Sequence, residues 1–120
     1  MRGLTILLVE ASTARLRTAL TMGCAQASLS GRCRIFLDAA AVPLLRLPVA
    51  ADDDAIQRRA GQPPLADLIE EALALGVAIS ACQTGLALAG LSADQLDPRV
   101  DYAGLTSMFA ALGDDRLLAL

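Results

Sequence analysis

Two kinds of segment alternate along the chain. Short, nearly continuous apolar runs of strand length recur at Leu4-Thr5-Ile6-Leu7-Leu8-Val9, at Arg34 to Leu37 and at Val77 to Ala81. Runs of this kind mark strands covered on both faces, as in a parallel sheet. Between them, apolar residues fall at helical spacing. Leu16, Ala19, Leu20, Gly23, Cys24 and Ala27 form one stripe, opened by Ser12 as N-cap and stopped at Ser30-Gly31. Leu65, Leu68, Ile69, Ala72, Leu73 and Leu75 form a second buried face, set up by Pro63-Pro64 and ended by Gly76.

The remaining segments extend the alternation. Thr84 to Ala89, closed by Gly90, and Leu105 to Leu112, stopped by Gly113, predict two more helices. Ser92 to Gln95 is a turn or a helical start, Val100 to Tyr102 a very short strand, and Arg116 to Leu120 a last strand. Ala39 to Leu47, interrupted by Pro43, reads as a short helix or an irregular connection. Ala51 to Gln62 carries Asp52-Asp53-Asp54, Arg58-Arg59 and Gly61 and reads as an exposed, mobile loop. Its acidic run is better explained as solvated surface than as a cation site. The pattern predicts one α/β domain over residues 1–120, a three-layer α/β/α sandwich with a mostly parallel sheet of about five strands and right-handed crossovers.

Composition narrows the chemistry. The 120 residues are 55% hydrophobic and only 2% aromatic, so the core is aliphatic. Formal net charge is −3, which argues against a nucleic-acid groove. The chain has no His, and all ten basic residues are Arg. That removes Ser-His-Asp and Cys-His catalysis, lysine Schiff bases, the phosphate-loop lysine and His-based metal sites. No metal and no cofactor is called for. Cys24, Cys33 and Cys82 are too few and too scattered for a disulfide framework, which fits a reducing, cytoplasmic setting. Ala72 to Ala93 contains no charge and is long enough to span a bilayer, but Ser80, Gln83, Thr84 and its glycines fit a strand, a turn and a helix better. No membrane association is expected.

In an open α/β sheet, ligands gather outside the carboxyl ends of the strands. Three places qualify: Glu10, Ser12 and Thr13 after the first strand, Asp38 to Ala41 after the second, and Cys82-Gln83-Thr84-Gly85 after the third. Ser12 is explained more simply as a cap. Cys82 stands at a strand end and a helix start together, where free N–H groups and the helix dipole favour a thiolate. That dipole contributes only about 0.3–1 kcal/mol. Cys82 is thus a usable nucleophile without strong activation, or else a small buried hydrophobe. Cys24 and Cys33 read as packing residues.

From Val77 through Cys82-Gln83-Thr84-Gly85 to Gly90-Leu91, the chain resembles the DsrE/DsrF-like sulfur-relay family. Members carry a strand ending in a cysteine, then a short helix reaching a Gly-aliphatic pair. The opening strand and long helix, the Arg34 to Leu45 segment, and the closing Gly104-Leu105 to Leu112 and Asp115 to Leu118 segments agree in order. The resemblance implies a small cytosolic subunit that holds a persulfide on Cys82 and passes sulfur from a donor protein to an acceptor thiol. Gln83, Thr84 and Gly85, with Glu10, Ser12 and Thr13 at the first strand end, are the candidate substrate-binding residues. The resemblance also implies a homo-oligomer, a trimer or hexamer. Ala89 stands where the family often has Arg, and Ala39-Ala40-Ala41 precedes Val42 where a glycine is usual. The other reading is a non-catalytic oligomeric protein binding a small ligand or a partner at the strand ends.

Overall fold

A computed structural model describes residues 1–120. Strand β1 spans Leu4–Leu8, helix α1 Thr13–Ser28 and strand β2 Cys33–Leu37. A 3-10 helix over Ala39–Leu45 follows, then α2 at Asp54–Arg59 and α3 at Leu65–Ala74. Strand β3 is Ala78–Cys82 and runs directly into α4, Gln83–Leu88. A short 3-10 turn at Ala93–Gln95, β4 at Asp101–Ala103, α5 at Leu105–Ala110 and β5 at Arg116–Ala119 complete the chain.

The sheet has five strands in the order β4-β3-β2-β1-β5, and every neighbouring pair is parallel. Strand order advances one step at a time from β1 to β4, which places the intervening helices on one face by right-handed crossover. The chain then returns past three strands to pair β5 with β1, so α5 covers the opposite face. This is the α/β sandwich expected.

Register and side-chain alternation assign the two faces. Leu4, Ile6 and Leu8 sit beside Cys33, Ile35 and Leu37 and are buried under α1 and α3. Gly23 of α1 lets the helix approach closely, since a Cβ there would stand 3.3 Å from Val77 and 3.4 Å from the Cys33 sulfur. Thr5, Arg34, Phe36 and Ser80 face α5 instead. A six-residue helix covers only part of that face, which stays partly open.

Several sequence expectations need correction. Asp54–Arg59 is a helix and not a loop, because the Asp54 carboxylate accepts the backbone N–H groups of Ala51 and Leu65, each at 3.0 Å. Arg17 of α1 reaches the same carboxylate at 3.3 Å. Those bonds hold the Asp54 acid below its ordinary range, the Ala51 amide contributing most. Leu75 belongs to the exposed C-cap of α3 and not to its buried face, and Leu73 is only half-buried. On α1, Gln26 is buried where Cys24 and Ala27 are half-buried, because its side-chain amide donates to the Arg2 carbonyl at 2.8 Å. Val9 lies beyond β1, Cys33 lies within β2, and Cys82 is the last residue of β3. The uncharged Ala72 to Ala93 stretch divides among α3, β3 and α4, and no helix is long and apolar enough to cross a membrane.

Candidate functional site

Cys82 ends β3 and is the N-cap of α4. Its backbone is still extended, with φ −65° and ψ 125°, so the chain turns into the helix one residue later. The Gly85 backbone N–H donates to the Cys82 sulfur at 3.4 Å. This is the N-cap arrangement in which a side-chain acceptor satisfies one of the free amides of the first helical turn, with sulfur in place of the usual oxygen. Cys82 keeps 8% of its surface exposed, while Gln83 and Thr84 beside it are exposed.

Gly85 fixes how α4 lies. A Cβ on it would stand 2.7 Å from the Ala39 carbonyl oxygen and 2.7 Å from Val42. The helix therefore rests on the 3-10 helix that leaves β2, and only glycine allows that approach. Gly85 is also the one buried residue of α4, whereas Leu88 at its far end is 81% exposed. An apolar groove of about 430 Å³ runs between Ala39, Ala40, Pro43, Gly85, Leu88 and Ala89.

The three cysteines are not equivalent. Cys33 is buried in β2, and that burial, reinforced by Asp115 and Cys24, pushes its thiol up to about 11. Cys24 is also raised, chiefly by burial and then by Glu71. Both are held as thiols between the sheet and its helices, Cys24 on α1 and Cys33 on β2 beneath it. Cys82 alone lies at the carboxyl edge of the sheet. It is also placed where the order of strands reverses: Cys82 and Ala103 are register partners at the ends of β3 and β4, after which the chain turns back towards β5. Crevices for ligands in open α/β sheets form at such reversals.

Glu10, Ser12 and Thr13 sit elsewhere on the same edge. They follow β1, and β2 lies between β1 and β3. Ser12 caps α1 by accepting the Arg15 amide at 3.1 Å, and Glu10 pairs with Arg15 at 3.5 Å on the surface. The structure thus keeps Cys82, Gln83, Thr84 and Gly85 together and places the Glu10 to Thr13 group across a strand from them. No cavity is lined by both groups. Asp38 makes no side-chain bond as N-cap of the 3-10 helix, and Ala41 and Val42 are core residues. The lock between Gly85 and Ala39 was not expected from the sequence, since nothing local signals it.

No protein-family model and no curated protein sequence matches the chain. Solved structures do. The YchN protein of E. coli aligns over 100% of both chains with a TM-score of 0.76 at 19% identity. MTH1491 of Methanobacterium thermoautotrophicum, a protein of unknown function, aligns over 100% of both chains at 0.75 and 15%. BT1422 of Bacteroides thetaiotaomicron, also of unknown function, covers 97% of this chain and 94% of its own at 0.63 and 15%. At these identities the likeness concerns the fold, and it extends over the whole chain.

Proposed function

We propose that the chain is a sulfur-carrying subunit of the DsrE/DsrF-like kind, with Cys82 as the sulfur acceptor. The observation that supports it most is the sulfur's position: Cys82 caps α4 at the strand-order reversal and accepts the Gly85 N–H, while burial raises Cys24 and Cys33. In this reading the Cys82 thiolate attacks the outer sulfur of a donor persulfide. A new S–S bond forms to Cys82, the donor's S–S bond breaks, and the donor leaves as a thiolate. An acceptor thiolate then takes the outer sulfur and returns Cys82 to its starting state. Each exchange is redox-neutral and needs no metal. The backbone amide beside the sulfur stabilises the negative charge that Cys82 carries before and after transfer.

The small exposed fraction of Cys82 sets a condition. Its cover is α4, six residues long, with Gly85 buried and Leu86 half-buried against the core, and segments with so little buried apolar surface open at low free-energy cost. Lifting α4 exposes the sulfur to a partner. The burial of Cys82 also favours a second reading, a non-catalytic protein of the same fold that binds a small ligand or partner.

One measurement separates the two. Native reduced protein is treated with a low-molecular-weight persulfide and analysed by peptide mass. The carrier reading expects one added sulfur atom on Cys82, absent in Cys82→Ser and removed by excess thiol. A native protein whose Cys82 gains no sulfur overturns it.

A homo-oligomer in the cytoplasm completes the proposal. Mean hydropathy is +0.53, and an apolar groove of about 460 Å³ lies along the free edge of β5 beside Met22, Leu29 and Leu117. Burial of that edge between copies would cover both the groove and the strand's unpaired backbone. Light scattering that returns monomer mass at micromolar concentration would exclude it.

A further inference from the structure

Beneath α5, on the face opposite α1, is a cavity of about 230 Å³ that the sulfur chemistry leaves unused. Thr5, Phe36 and Met108 are buried around it, and Arg34, Ser80, Asp101 and Ser107 contribute polar groups. Asp101 and Ser107 are exposed at its mouth, while Arg34 and Ser80 are half-buried. At about 30 Å³ per water-sized group, the space holds roughly seven or eight such groups, fewer than a drug-sized ligand needs.

The polar groups here are only partly paired within the protein. Arg34 makes all its protein hydrogen bonds through Nη2, to Thr5, Asp115 and the Ala111 carbonyl. Its Nε is covered from solvent and has no partner. Arg34 and Arg32 share the one Asp115 carboxylate, so a positive charge beside the cavity is left without a counter-charge of its own. The hydroxyls of Ser80 and Ser107 make no protein hydrogen bond, and the Asp101 carboxylate pairs with no cation. Few convergent polar groups on an apolar floor are the usual make-up of a small-molecule site.

We infer that this cavity binds a small aliphatic carboxylic acid that carries an amine or hydroxyl at its far end. A guanidinium is matched to a carboxylate in shape and charge. Arg34 takes the carboxylate, and Phe36 and Met108 flank the aliphatic stem. Asp101 and Ser107 receive the donor at the mouth. A plain anion is disfavoured by Asp101 and a plain amine by Arg34, so the pair selects a molecule with both ends.

Cys82 does not line the cavity, so this inference stands apart from the sulfur-carrier reading. The test titrates full-length protein, wild type and Cys82→Ser, with γ-aminobutyrate, γ-hydroxybutyrate, butyrate and butylamine, following backbone amide shifts by NMR. The two-ended acids are expected to move Ser80, Ala103 and Ser107 at millimolar concentration, equally in both proteins, with butyrate weaker and butylamine inert. Asp101→Asn, which touches no structural bond, is expected to weaken γ-aminobutyrate about tenfold, the loss of one charged hydrogen bond. Arg34→Lys, if folded by circular dichroism, removes binding of both acids. The inference is overturned if neither acid shifts these amides in wild-type protein, or if Asp101→Asn leaves the γ-aminobutyrate affinity unchanged.

Discussion

Gly85 lies against Ala39 so closely that a methyl group would collide with the Ala39 carbonyl oxygen at 2.7 Å. The first turn of α4 and the start of the segment leaving β2 are thereby locked together, and Cys82 is held between sheet and helix. Gly85→Ala tests the lock. In an unobstructed helix the change would stabilise by about 1 kcal/mol. Here the clash with backbone and with Val42 reverses the sign, and a net loss of about 1–3 kcal/mol is expected by urea denaturation. The same variant should make Cys82 react faster with iodoacetamide in native protein, because α4 must move outwards to admit the methyl. Gain of stability, or unchanged Cys82 labelling, contradicts this account.

Asp115 makes a second lock at the other end of the sheet. Its side chain has 0% exposure, accepts from the Thr5 hydroxyl at 2.8 Å and from Arg34 at 3.3 Å, and pairs with Arg32. Burial, the largest single influence, pushes its pKa up, but the Thr5, Arg32 and Arg34 donors together outweigh it and the net shift is downward. A carboxyl depressed in the folded state stabilises above its unfolded value, near pH 3.9, and loses that contribution as pH falls through the folded value. Asp115→Asn is expected to cost on the order of 3 kcal/mol at pH 7, since it leaves two arginines without their buried counter-charge. The gap between wild type and variant should then shrink as pH is lowered below about 4. Thermal melts of both proteins across pH decide it; a gap independent of pH shows that the charge is not what matters.

The cysteines should separate by reactivity. Cys33, pushed up to about 11 and packed against Gly23, is expected to resist alkylation in native protein at pH 8 and to react only in denaturant. Peptide mapping after brief iodoacetamide treatment measures this directly. Native labelling of Cys33 ahead of Cys82 would remove the distinction on which the choice of Cys82 rests.

The sheet was legible because its signals are local. Each buried strand reads as an apolar run, and Gly76 and Gly90, with φ of 90° and 67°, mark the helix ends as their sequence positions imply. Ser92 and Gln95 likewise form the capping box that their spacing allows. What escaped is non-local. Helix α2 depends on Asp54 bonding eleven residues ahead to Leu65 and back to Arg17, so its polar sequence looks like loop. Gln26 is buried only because Arg2 offers it a carbonyl. At the site, Cys82 at a strand end was visible in sequence, whereas its cover by α4 depends on Ala39 meeting Gly85. Ser80 stood out as a polar break in an apolar stretch, but the cavity it shares with Arg34 appears only once α5 crosses to the far face.

Leu88 offers a prediction about the partner. It is 81% exposed at the end of α4, beside the apolar groove that borders Gly85. It packs on nothing in the chain, so Leu88→Asp is expected to change stability by less than about 0.5 kcal/mol. A protein that receives sulfur from Cys82 by approaching over the groove beside α4 would bury Leu88 as it docks. A small thiol would not need to. If Cys82 serves a protein acceptor, Leu88→Asp slows sulfur transfer to it by about tenfold or more, the cost of desolvating a charge where a leucine should be buried. Transfer to a small thiol such as dithiothreitol stays at the wild-type rate. Comparing the two rates in one variant separates docking from chemistry: equal slowing of both means that Leu88 acts through α4 itself, and no change in either places the acceptor's approach elsewhere on the sheet edge.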